Sequence, residues 1–583
     1  MEEFSARTRA ANLEAMAAQP LDVLVIGGGI VGAWVALTSA MRGHRTGLVE
    51  KGDFASGTSG KTSRLVHGGL RYLQQFRIGI VRQAARERDV LLRIAPRLVR
   101  PLTFLIPVYK DRGAKGWQLR IGLWLYDFLS KDKVLPRRKW LTREEALRLE
   151  PRLDPDGLVR AALYSDACAH DARLVFQVVK AAADAGALVA NYARVRKLIR
   201  EPTAGITEWP GLPAARPVVR KVHEWTELRG ARIEDLETGR VLDVKASVTV
   251  SATGAWSEEF QSPEHRVRLR PTKGIHAFVP RERIRHEHAI VLPTKDRRII
   301  FVLPWGDLSL VGTTDTDYRG DKDRVEAGRE DVAYLLEAVN EGFPEAKLTP
   351  GDLVGTYAGL RPLVDTGEAR ESDISRRHEI VVDADGLITV MGGKLTTARA
   401  MAGEVVLRIE TSQFDRWARQ GGLPSREDIR RYDFYFRSRP KVDTRTMRLA
   451  DPPTGEATSR FVAAGAAEAT SARLAEIGAF PMADLVSRRP DLLRPLAAGL
   501  PCCGLEILHG ARHEMAVHID DIMVRRTELA YVTRDHGLHV APMVADLMGQ
   551  ELGWDAARRA SEIARYRMLV GAMDGWRSEG DHD

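Results

Sequence analysis

The chain has 583 residues, 44% of them hydrophobic, which is enough for roughly three or four domains with sizeable cores. Its three cysteines, Cys168, Cys502 and Cys503, are an odd number without CxxC spacing, so neither a disulfide framework nor a zinc site is indicated, and a reducing cytoplasm fits best. The formal net charge of +8 predicts an anionic partner such as a substrate phosphate, an acidic lipid or a nucleic acid, but no nucleic-acid module is recognisable.

Residues 1–20 are rich in alanine and predict an N-terminal helix that Pro20 ends. The next segment has the order strand, glycine-rich turn, helix and strand. Leu21–Ile26 is an apolar run of strand length, residues 27–32 read GGGIVG, and Thr46–Val49 predicts a second strand after the helix. This order predicts a βαβ unit that binds a dinucleotide, rather than a glycine-rich turn without a ligand.

The glycines and the acid of this unit have separate physical roles. Gly27 permits the tight turn, Gly29 lets the backbone approach a pyrophosphate, and Gly32 lets the helix pack closely on the strand. The helix N-terminus offers unpaired N–H groups to the phosphates. Glu50 can accept hydrogen bonds from both ribose hydroxyls, and its charge would repel a 2′-phosphate, so NADP is not the expected ligand.

Residues 23–41 form an uncharged run that has the length of a transmembrane helix. The glycine triplet inside it and the flanking charges of Asp22 and Arg42 argue against a membrane span. The sequence has no other long uncharged apolar run, so we expect a protein that is not integral to a membrane.

Residues 51–73 read KGDFASGTSGKTSRLVHGGLRYL and are the most specific text in the chain. With the other blocks, the sequence resembles the FAD-dependent glycerol-3-phosphate dehydrogenases, a branch of the D-amino-acid-oxidase-like flavoproteins. The blocks are GGGIVG at 27, SGTSGKTSRLVHGGLRYL at 56, YSDACAHDARL at 164, SATGAW at 251, KGIHAFVP at 273, FVLPWGDLSLVGTTDTDY at 301, YAGLRPLV at 357 and MGGKLTTARAMA at 391.

The resemblance implies an α/β fold, with a glutathione-reductase-like FAD-binding Rossmann domain, an inserted antiparallel-sheet substrate domain and an α-helical C-terminal domain. We expect an N-terminal extension at 1–20, an FAD domain at 21–92, 154–265 and 350–410, a substrate domain at 93–153 and 266–349, a linker at 411–455 and the helical domain at 456–583. Residues 201–217 are rich in proline and glycine and predict a surface insertion.

The resemblance also implies the reaction. Such an enzyme oxidises sn-glycerol 3-phosphate at C2 to dihydroxyacetone phosphate, passes a hydride to FAD and delivers electrons to a membrane quinone. The nearest alternative is a glycerol-3-phosphate oxidase that reduces oxygen to hydrogen peroxide. An alternative from another class is a flavin-dependent protein that acts on RNA or serves as a binding module, and the phosphate and base positions argue against it. A homodimer is a further candidate assembly.

FAD contacts beyond the first βαβ unit are expected from three segments. The residues assigned to them are Ser59, Lys61 and Thr62 on the polar loop, Thr253 and Gly254 in the turn after a strand, and Gly393, Leu395 and Thr396 in GGKLTT. The last block precedes a helical stretch, so its N–H groups and the helix dipole can face the flavin edge where negative charge develops.

The substrate site needs a phosphate clamp and a base. Arginine suits phosphate because its guanidinium stays charged and makes parallel hydrogen bonds, and the base needs a pKa near neutrality. The resemblance assigns the base to His276, with His67 as the second candidate, and makes Arg361 catalytic as well as substrate-binding. The other substrate-binding residues that it implies are Arg71, Tyr72, Arg376 and Lys394.

Residues 116–130, GWQLRIGLWLYDFLS, are aromatic and lie in a strongly basic stretch. This pattern is typical of an interfacial membrane anchor, and it equally fits a core helix. Because a quinone is confined to the bilayer, we expect a cytoplasmic protein that binds peripherally to the anionic inner face of the cell membrane.

A cluster of histidines in the C-terminal part raises the question of a metal. The HExxH motif needs histidines four residues apart around the glutamate, whereas His513 and His518 are five apart. His509 and His513 have the spacing, but no third ligand is evident. We therefore expect no metal.

Overall fold

The computed structural model describes residues 3–75, 77–113, 115–130, 135–206, 222–261, 267–296, 298–365, 378–421, 439–452 and 455–578. The N-terminal helix α1 (Ala6–Ala18) starts at Ser5, whose hydroxyl accepts a hydrogen bond from the Arg7 amide and so caps the helix. Arg9 of this helix is buried and pairs with Asp235, which ties the extension to the body of the protein.

The first sheet is built around the predicted βαβ unit. Strand β1 (Leu21–Ile26) pairs in parallel with β2 (Thr46–Val49) on one side and with β10 (Val241–Ser251) on the other. Its described strands follow the order β17 (Glu379–Val382), β18 (Ile388–Met391), β10 (Val241–Ser251), β1 (Leu21–Ile26), β2 (Thr46–Val49) and β7 (Leu188–Ala190), while β8 (Ala193–Ile206) and β9 (Val222–Asp235) form a hairpin on β10.

Helices α2 (Ile30–Met41), α6 (Asp171–Asp184) and α9 (Ala398–Gly421) form one layer on the first sheet, and α1 packs against β7 and β10 of the same sheet. α2 carries no charged side chain and buries Trp34, Val35 and Leu37, so its apolar surface belongs to the core of this layer. Its close approach depends on Gly32, where an added Cβ would lie 1.9 Å from the Gly27 carbonyl oxygen.

The second sheet is mostly antiparallel. Its described strands follow the order β15 (Thr316–Asp317), β11 (Leu269–Pro280), β14 (Leu308–Gly312), β13 (Ile299–Trp305), β12 (Ala289–Pro293), β4 (Val99–Tyr109), β6 (Leu158–Ala169) and β3 (Leu65–Val66), with β16 (Gly355–Val364) on β11 and β5 (Lys139–Thr142) on β6. The pair of β12 and β4 is parallel. Its associated helices are α3 (Ile78–Ile94), α4 (Gly116–Leu129), α5 (Arg143–Leu149), α7 (Arg281–Ile284) and α8 (Arg329–Gly342).

The C-terminal part is helical. Its helices span Gly455–Ala463, Glu468–Ile477, Ala483–Val486, Gly504–His513, Leu529–Val532, Ala541–Leu552, Ala556–Met573 and Gly575–Ser578, and a π-helix spans Asp521–Arg526. Buried ion pairs join this part to the other two layers: Arg526 pairs with Asp53, and Glu528 lies 2.6 Å from Arg64. The helical part is therefore packed against the loop that follows β2.

The predicted fold class is confirmed by this architecture. The domain boundaries stay a prediction. Strands β6 and β16, which the boundaries place in the FAD domain, pair within the second sheet, and α9 continues eleven residues into the expected linker, to Gly421. The tip of the predicted insertion, residues 207–217, lies outside the described residues. Within the described chain, no helix is both long enough and apolar enough to cross a bilayer.

Candidate active site

A cavity of about 1900 Å³ lies between the two sheets. Loop 51–63, the carboxyl ends of β1 and β10, strands β11 and β16, helix α4 and the segment after β18 all contribute to its lining. It brings together almost all of the predicted site residues, namely Gly27, Gly29, Glu50, Ser59, Lys61, Thr62, His67, Tyr72, Thr253, Gly254, His276, Arg361, Gly393, Lys394, Leu395 and Thr396.

The glycines form a backbone cradle at one end of the cavity. Gly27 has φ +110°, and a Cβ there would lie 2.6 Å from the Ala252 carbonyl oxygen, so only glycine fits the turn. Gly254 has φ +57° and would place a Cβ in open space, which leaves bare backbone on the cavity. The predicted FAD pyrophosphate fits this cradle, at the N-terminus of α2. Gly32 does not line the cavity, because its role is helix packing.

Glu50 lies at the end of β2 beside the cradle. Its two carboxylate oxygens accept hydrogen bonds from the amides of Gly28 (2.7 Å) and Gly52 (2.9 Å). Burial raises the pKa of this carboxyl, and these two amides oppose the rise. The carboxylate therefore fixes the turn as well as facing the predicted ribose position.

The loop after β2 carries three predicted FAD contacts. The Ser59 hydroxyl accepts a hydrogen bond from the Ile30 amide (3.0 Å) and so occupies the N-terminus of α2. Thr62 is held in place, because its amide and hydroxyl both donate to Asp171 at 2.9 Å. Burial, followed by the charge of Arg525, lowers the pKa of Lys61 to about 8.

The GGKLTT block lines the cavity where β18 ends and α9 begins. Gly393 has φ +86°, and a Cβ there would lie 2.4 Å from the Met401 sulfur, so the sharp turn needs glycine. A short 3-10 helix, Leu395–Thr397, then leads into α9. Thr396 accepts a hydrogen bond from the His67 amide (3.2 Å), which joins this block to the loop after β3.

His276 lies on β11, inside the cavity and buried. Its Nε2 lies 2.8 Å from Ser63 Oγ, and its ring stacks on Tyr357 with 4.8 Å between centroids. Nδ1 is buried without a hydrogen-bond partner among the described residues. Burial, then the charges of Arg361 and Arg64, lowers the pKa of His276 well below its ordinary value. The ring is therefore neutral near pH 7, as a proton acceptor must be.

Arg361 lies on β16, which pairs with β11. Its Nη1 lies 2.6 Å from Asp315 Oδ1, and the guanidinium also donates to Thr313 Oγ1 and the Thr314 carbonyl at 3.2 Å. These contacts hold a planar cation in a fixed orientation at the cavity wall.

The remaining predicted cations divide by what the structure describes. Lys394 lines the cavity, and its Nζ lies 3.7 Å above the ring of Tyr72, a cation–π contact. Arg71 lies within a 3-10 helix, Leu70–Gln75, but its side chain is not described. Arg376 lies outside the described residues.

Sequence reasoning missed three residues of this site. Ser63 contacts the proposed base from 213 positions away, and Asp315 and Thr313 fix the arginine. Thr313 and Asp315 belong to the block at 301, and Ser63 to the block at 56, so the blocks pointed to the right segments. Their pairings depend on tertiary contacts that no local pattern encodes.

The histidines of the C-terminal part are engaged in other contacts. His518 lies 2.9 Å from Glu237 and 2.8 Å from Glu562, and His509 lies 3.5 Å from Glu514. Among the residues that the structure describes, no three His, Cys, Asp or Glu side chains are arranged to hold a metal ion. The expectation of a protein without a metal stays a prediction.

A Rossmann-type glycine cradle that shares one cavity with a neutral histidine and a fixed arginine defines a dinucleotide-dependent oxidoreductase. The comparisons with known proteins name the class more closely. Residues 22–408 match the model of the family described as FAD dependent oxidoreductase, and residues 476–559 match the C-terminal domain of alpha-glycerophosphate oxidase.

Relatives of known name extend over nearly the whole chain. The glycerol-3-phosphate dehydrogenase of Mycobacterium leprae is 34% identical over 97% of this chain and 90% of its own length. The alpha-glycerophosphate oxidase of Streptococcus pneumoniae is 30% identical over 98% of this chain and 99% of its own length. The glycerol-3-phosphate dehydrogenase of Bacillus halodurans, solved in complex with FAD, is 25% identical, covers 98% of each chain and has a TM-score of 0.72. The chain therefore belongs to the FAD-dependent glycerol-3-phosphate dehydrogenase family, and its cofactor is FAD.

Proposed function

We propose that the protein oxidises sn-glycerol 3-phosphate to dihydroxyacetone phosphate and passes the electrons through FAD to a membrane quinone. The observation that carries the proposal is the single cavity in which the glycine cradle, His276, Arg361 and Lys394 meet. The names of the mycobacterial and Bacillus relatives support the same substrate.

The cationic side chains account for a phosphorylated substrate. Arg361 is held by Asp315 and Thr313 before any substrate arrives, so little ordering is needed when a phosphate binds. Lys394 adds a second positive charge to the same cavity. Glycerol, which lacks the phosphate, should therefore be a very poor substrate.

The proton of the C2 hydroxyl goes to His276. Its Nε2 contacts a hydroxyl in this structure, because Ser63 Oγ lies 2.8 Å away. The C2 hydroxyl of the substrate would approach the same nitrogen. Stacking on Tyr357 and this hydrogen bond fix the ring plane, so the base is oriented in advance. FAD, when bound, supplies the acceptor for the hydride that leaves C2.

A quinone is the proposed acceptor because of the surface of α4. Trp117, Ile121, Trp124 and Phe128 lie on one face of this helix and are 56–63% exposed, while Leu123 and Tyr126 on the other face are buried. Four exposed cationic residues lie within or close to α4 in sequence, namely Lys115, Arg120, Arg137 and Lys139. An aromatic stripe with a basic rim suits an anionic bilayer surface.

This surface supports a peripheral location on the cytoplasmic face of the cell membrane. The test is flotation with anionic liposomes. Wild type should float, and a Trp117→Ala/Trp124→Ala variant should float less, whereas the control Leu407→Ala/Met568→Ala, which removes exposed apolar side chains elsewhere, should float like wild type. Equal flotation of wild type and the tryptophan variant would remove α4 as the anchor. The homodimer stays a further proposal, which light scattering of the purified protein would test.

The second candidate keeps the substrate and makes oxygen the acceptor. The 30% identity to a streptococcal relative named an oxidase, and the match of residues 476–559, favour it. Anaerobic turnover with menadione should be fast and peroxide release in air slow if quinone is the acceptor. Rapid peroxide release with negligible menadione reduction would favour the oxidase.

A further inference from the structure

The cavity has an apolar arm that glycerol 3-phosphate does not need. On the side away from Arg361 it is lined by Leu119 and Leu125 of α4, Phe104 and Ile106 of β4, Val291 of β12 and Phe301 of β13. A triose phosphate is polar throughout and gains nothing from such walls. The lining of the arm therefore suits an apolar ligand better than it suits the substrate.

The floor of the arm is continuous with the catalytic residues. His276 pairs with Gly312, Gly312 pairs with Phe301, and Phe301 pairs with Val291, so these four residues share one face of the sheet. Adjacent strands are about 4.8 Å apart, so the row extends roughly 14 Å from His276. Gly312 makes room in this row for the His276 ring, because a Cβ there would lie 2.2 Å from that ring.

The arm opens on the aromatic stripe. Helix α4 covers it with Leu119, Gly122 and Leu125, which are spaced three residues apart on one helix face. Trp117 and Ile121 belong both to the cavity lining and to the exposed stripe, so they lie at the mouth. A molecule dissolved in a bilayer under the stripe would meet this mouth directly.

We propose that the apolar arm beneath α4 is the binding site for the ring of the isoprenoid quinone. This inference rests on the proposed quinone-linked function and gives it a location. The two electrons and two protons that leave glycerol 3-phosphate in each turnover equal those that convert a quinone to its quinol, so no other reductant is needed. Substrate and quinone reach the cavity from different sides, phosphate at Arg361 and quinone under α4.

Gly122→Phe is the variant that tests the arm. A Cβ at Gly122 meets no atom within 4 Å, so a larger side chain enters open space, and replacing glycine within a helix carries no propensity cost. The matched control is Gly79→Phe in α3, where a Cβ also meets nothing within 4 Å and which does not line the cavity. Both purified proteins are loaded with FAD and assayed in detergent with decylubiquinone, so membrane docking does not enter the result.

The expected result is specific to the quinone. Gly122→Phe should slow flavin reoxidation by decylubiquinone at least tenfold, while anaerobic flavin reduction by glycerol 3-phosphate and reoxidation by ferricyanide stay within twofold of wild type. Decylubiquinone should also quench tryptophan fluorescence less in Gly122→Phe than in Gly79→Phe. Unchanged quinone reoxidation in Gly122→Phe, or an equal loss with ferricyanide, would overturn the arm as the site. A wild type that reduces no quinone and releases peroxide would overturn the proposed acceptor, and the arm with it.

Discussion

Replacing Arg361 with alanine should weaken the binding of glycerol 3-phosphate by about two orders of magnitude. The guanidinium is the cation that Asp315, Thr313 and Thr314 hold in place. Its removal takes away the charge that faces the phosphate and leaves the Asp315 carboxylate without this partner, where it would repel the dianion. Both effects raise the free energy of the substrate complex.

The magnitude follows from burial. Truncating one partner of a buried, hydrogen-bonded charge pair costs roughly 2–5 kcal/mol. The Arg361 side chain is 21% exposed, so solvent screens part of its charge and the lower half of that range applies. We therefore expect about 2.8 kcal/mol, which is a 100-fold rise in the Michaelis constant. Arg361→Lys keeps the charge but loses the planar fork and should have an intermediate effect.

The assay is anaerobic flavin reduction over a range of glycerol 3-phosphate concentrations, which separates binding from the limiting rate. The matched control is Arg270→Ala. Arg270 lies on β11, the strand that pairs with β16, and its side chain lies 2.6 Å from Asp317, but it does not line the cavity. The slow reaction with glycerol should be nearly unaffected in Arg361→Ala, since glycerol has no phosphate. A Michaelis constant within threefold of wild type, or an equal loss with glycerol, would refute the phosphate assignment.

Three further predictions concern the base, the cofactor cradle and the helical part. Because burial and the charge of Arg361 lower the pKa of His276, the acidic limb of kcat/KM should lie below about pH 6.5. In the pH profile of kcat the acidic limb should move to higher pH, because the phosphate of the bound substrate offsets the positive charge of Arg361. Gly32→Ala should abolish FAD retention, since its Cβ would lie 1.9 Å from a carbonyl oxygen. Glu528→Ala should lower the free energy of unfolding by about 3–5 kcal/mol and so the thermal midpoint, because buried Arg64 loses its 2.6 Å partner.

Each of these three has a control that shares its chemistry. If the acidic limb of the pH profile persists in His276→Gln, the limb arises from titration of the substrate phosphate and not from titration of His276. Gly403→Ala, in open space on α9, should retain FAD, and loss of FAD there as well would contradict the steric argument. Asp243→Ala breaks an exposed pair with Arg232 and should change the thermal midpoint little, so an equal fall in both variants would contradict the role of burial.

The first βαβ unit could be predicted from the sequence because its signals are local. The strand, the turn glycines and Glu50 follow one another within a short segment, and the structure forms β1, α2 and β2 where they indicate. His276 and Arg361 came from a resemblance to a family, and the structure places them on the adjacent strands β11 and β16. The resemblance identifies these two residues, but it does not indicate which side chains they contact.

The contacts themselves depend on pairings distant in sequence. Ser63 meets His276 across 213 positions, and Arg64 meets Glu528 across 464, so no periodicity or spacing signals either pair. The sequence of α4 likewise fits both a core helix and a membrane anchor. The structure shows one buried face and one exposed face, which only the packing of the neighbouring elements decides.

The function proposed for this cavity is the oxidation of glycerol 3-phosphate with FAD. The most direct measurement is to mix the purified, FAD-loaded protein with sn-glycerol 3-phosphate without oxygen and to follow the visible flavin absorbance together with the product. We expect rapid bleaching and one dihydroxyacetone phosphate formed for each flavin bleached, with glycerol giving little of either. An absorbance that stays unchanged at saturating glycerol 3-phosphate, in a protein that retains its FAD, would contradict it.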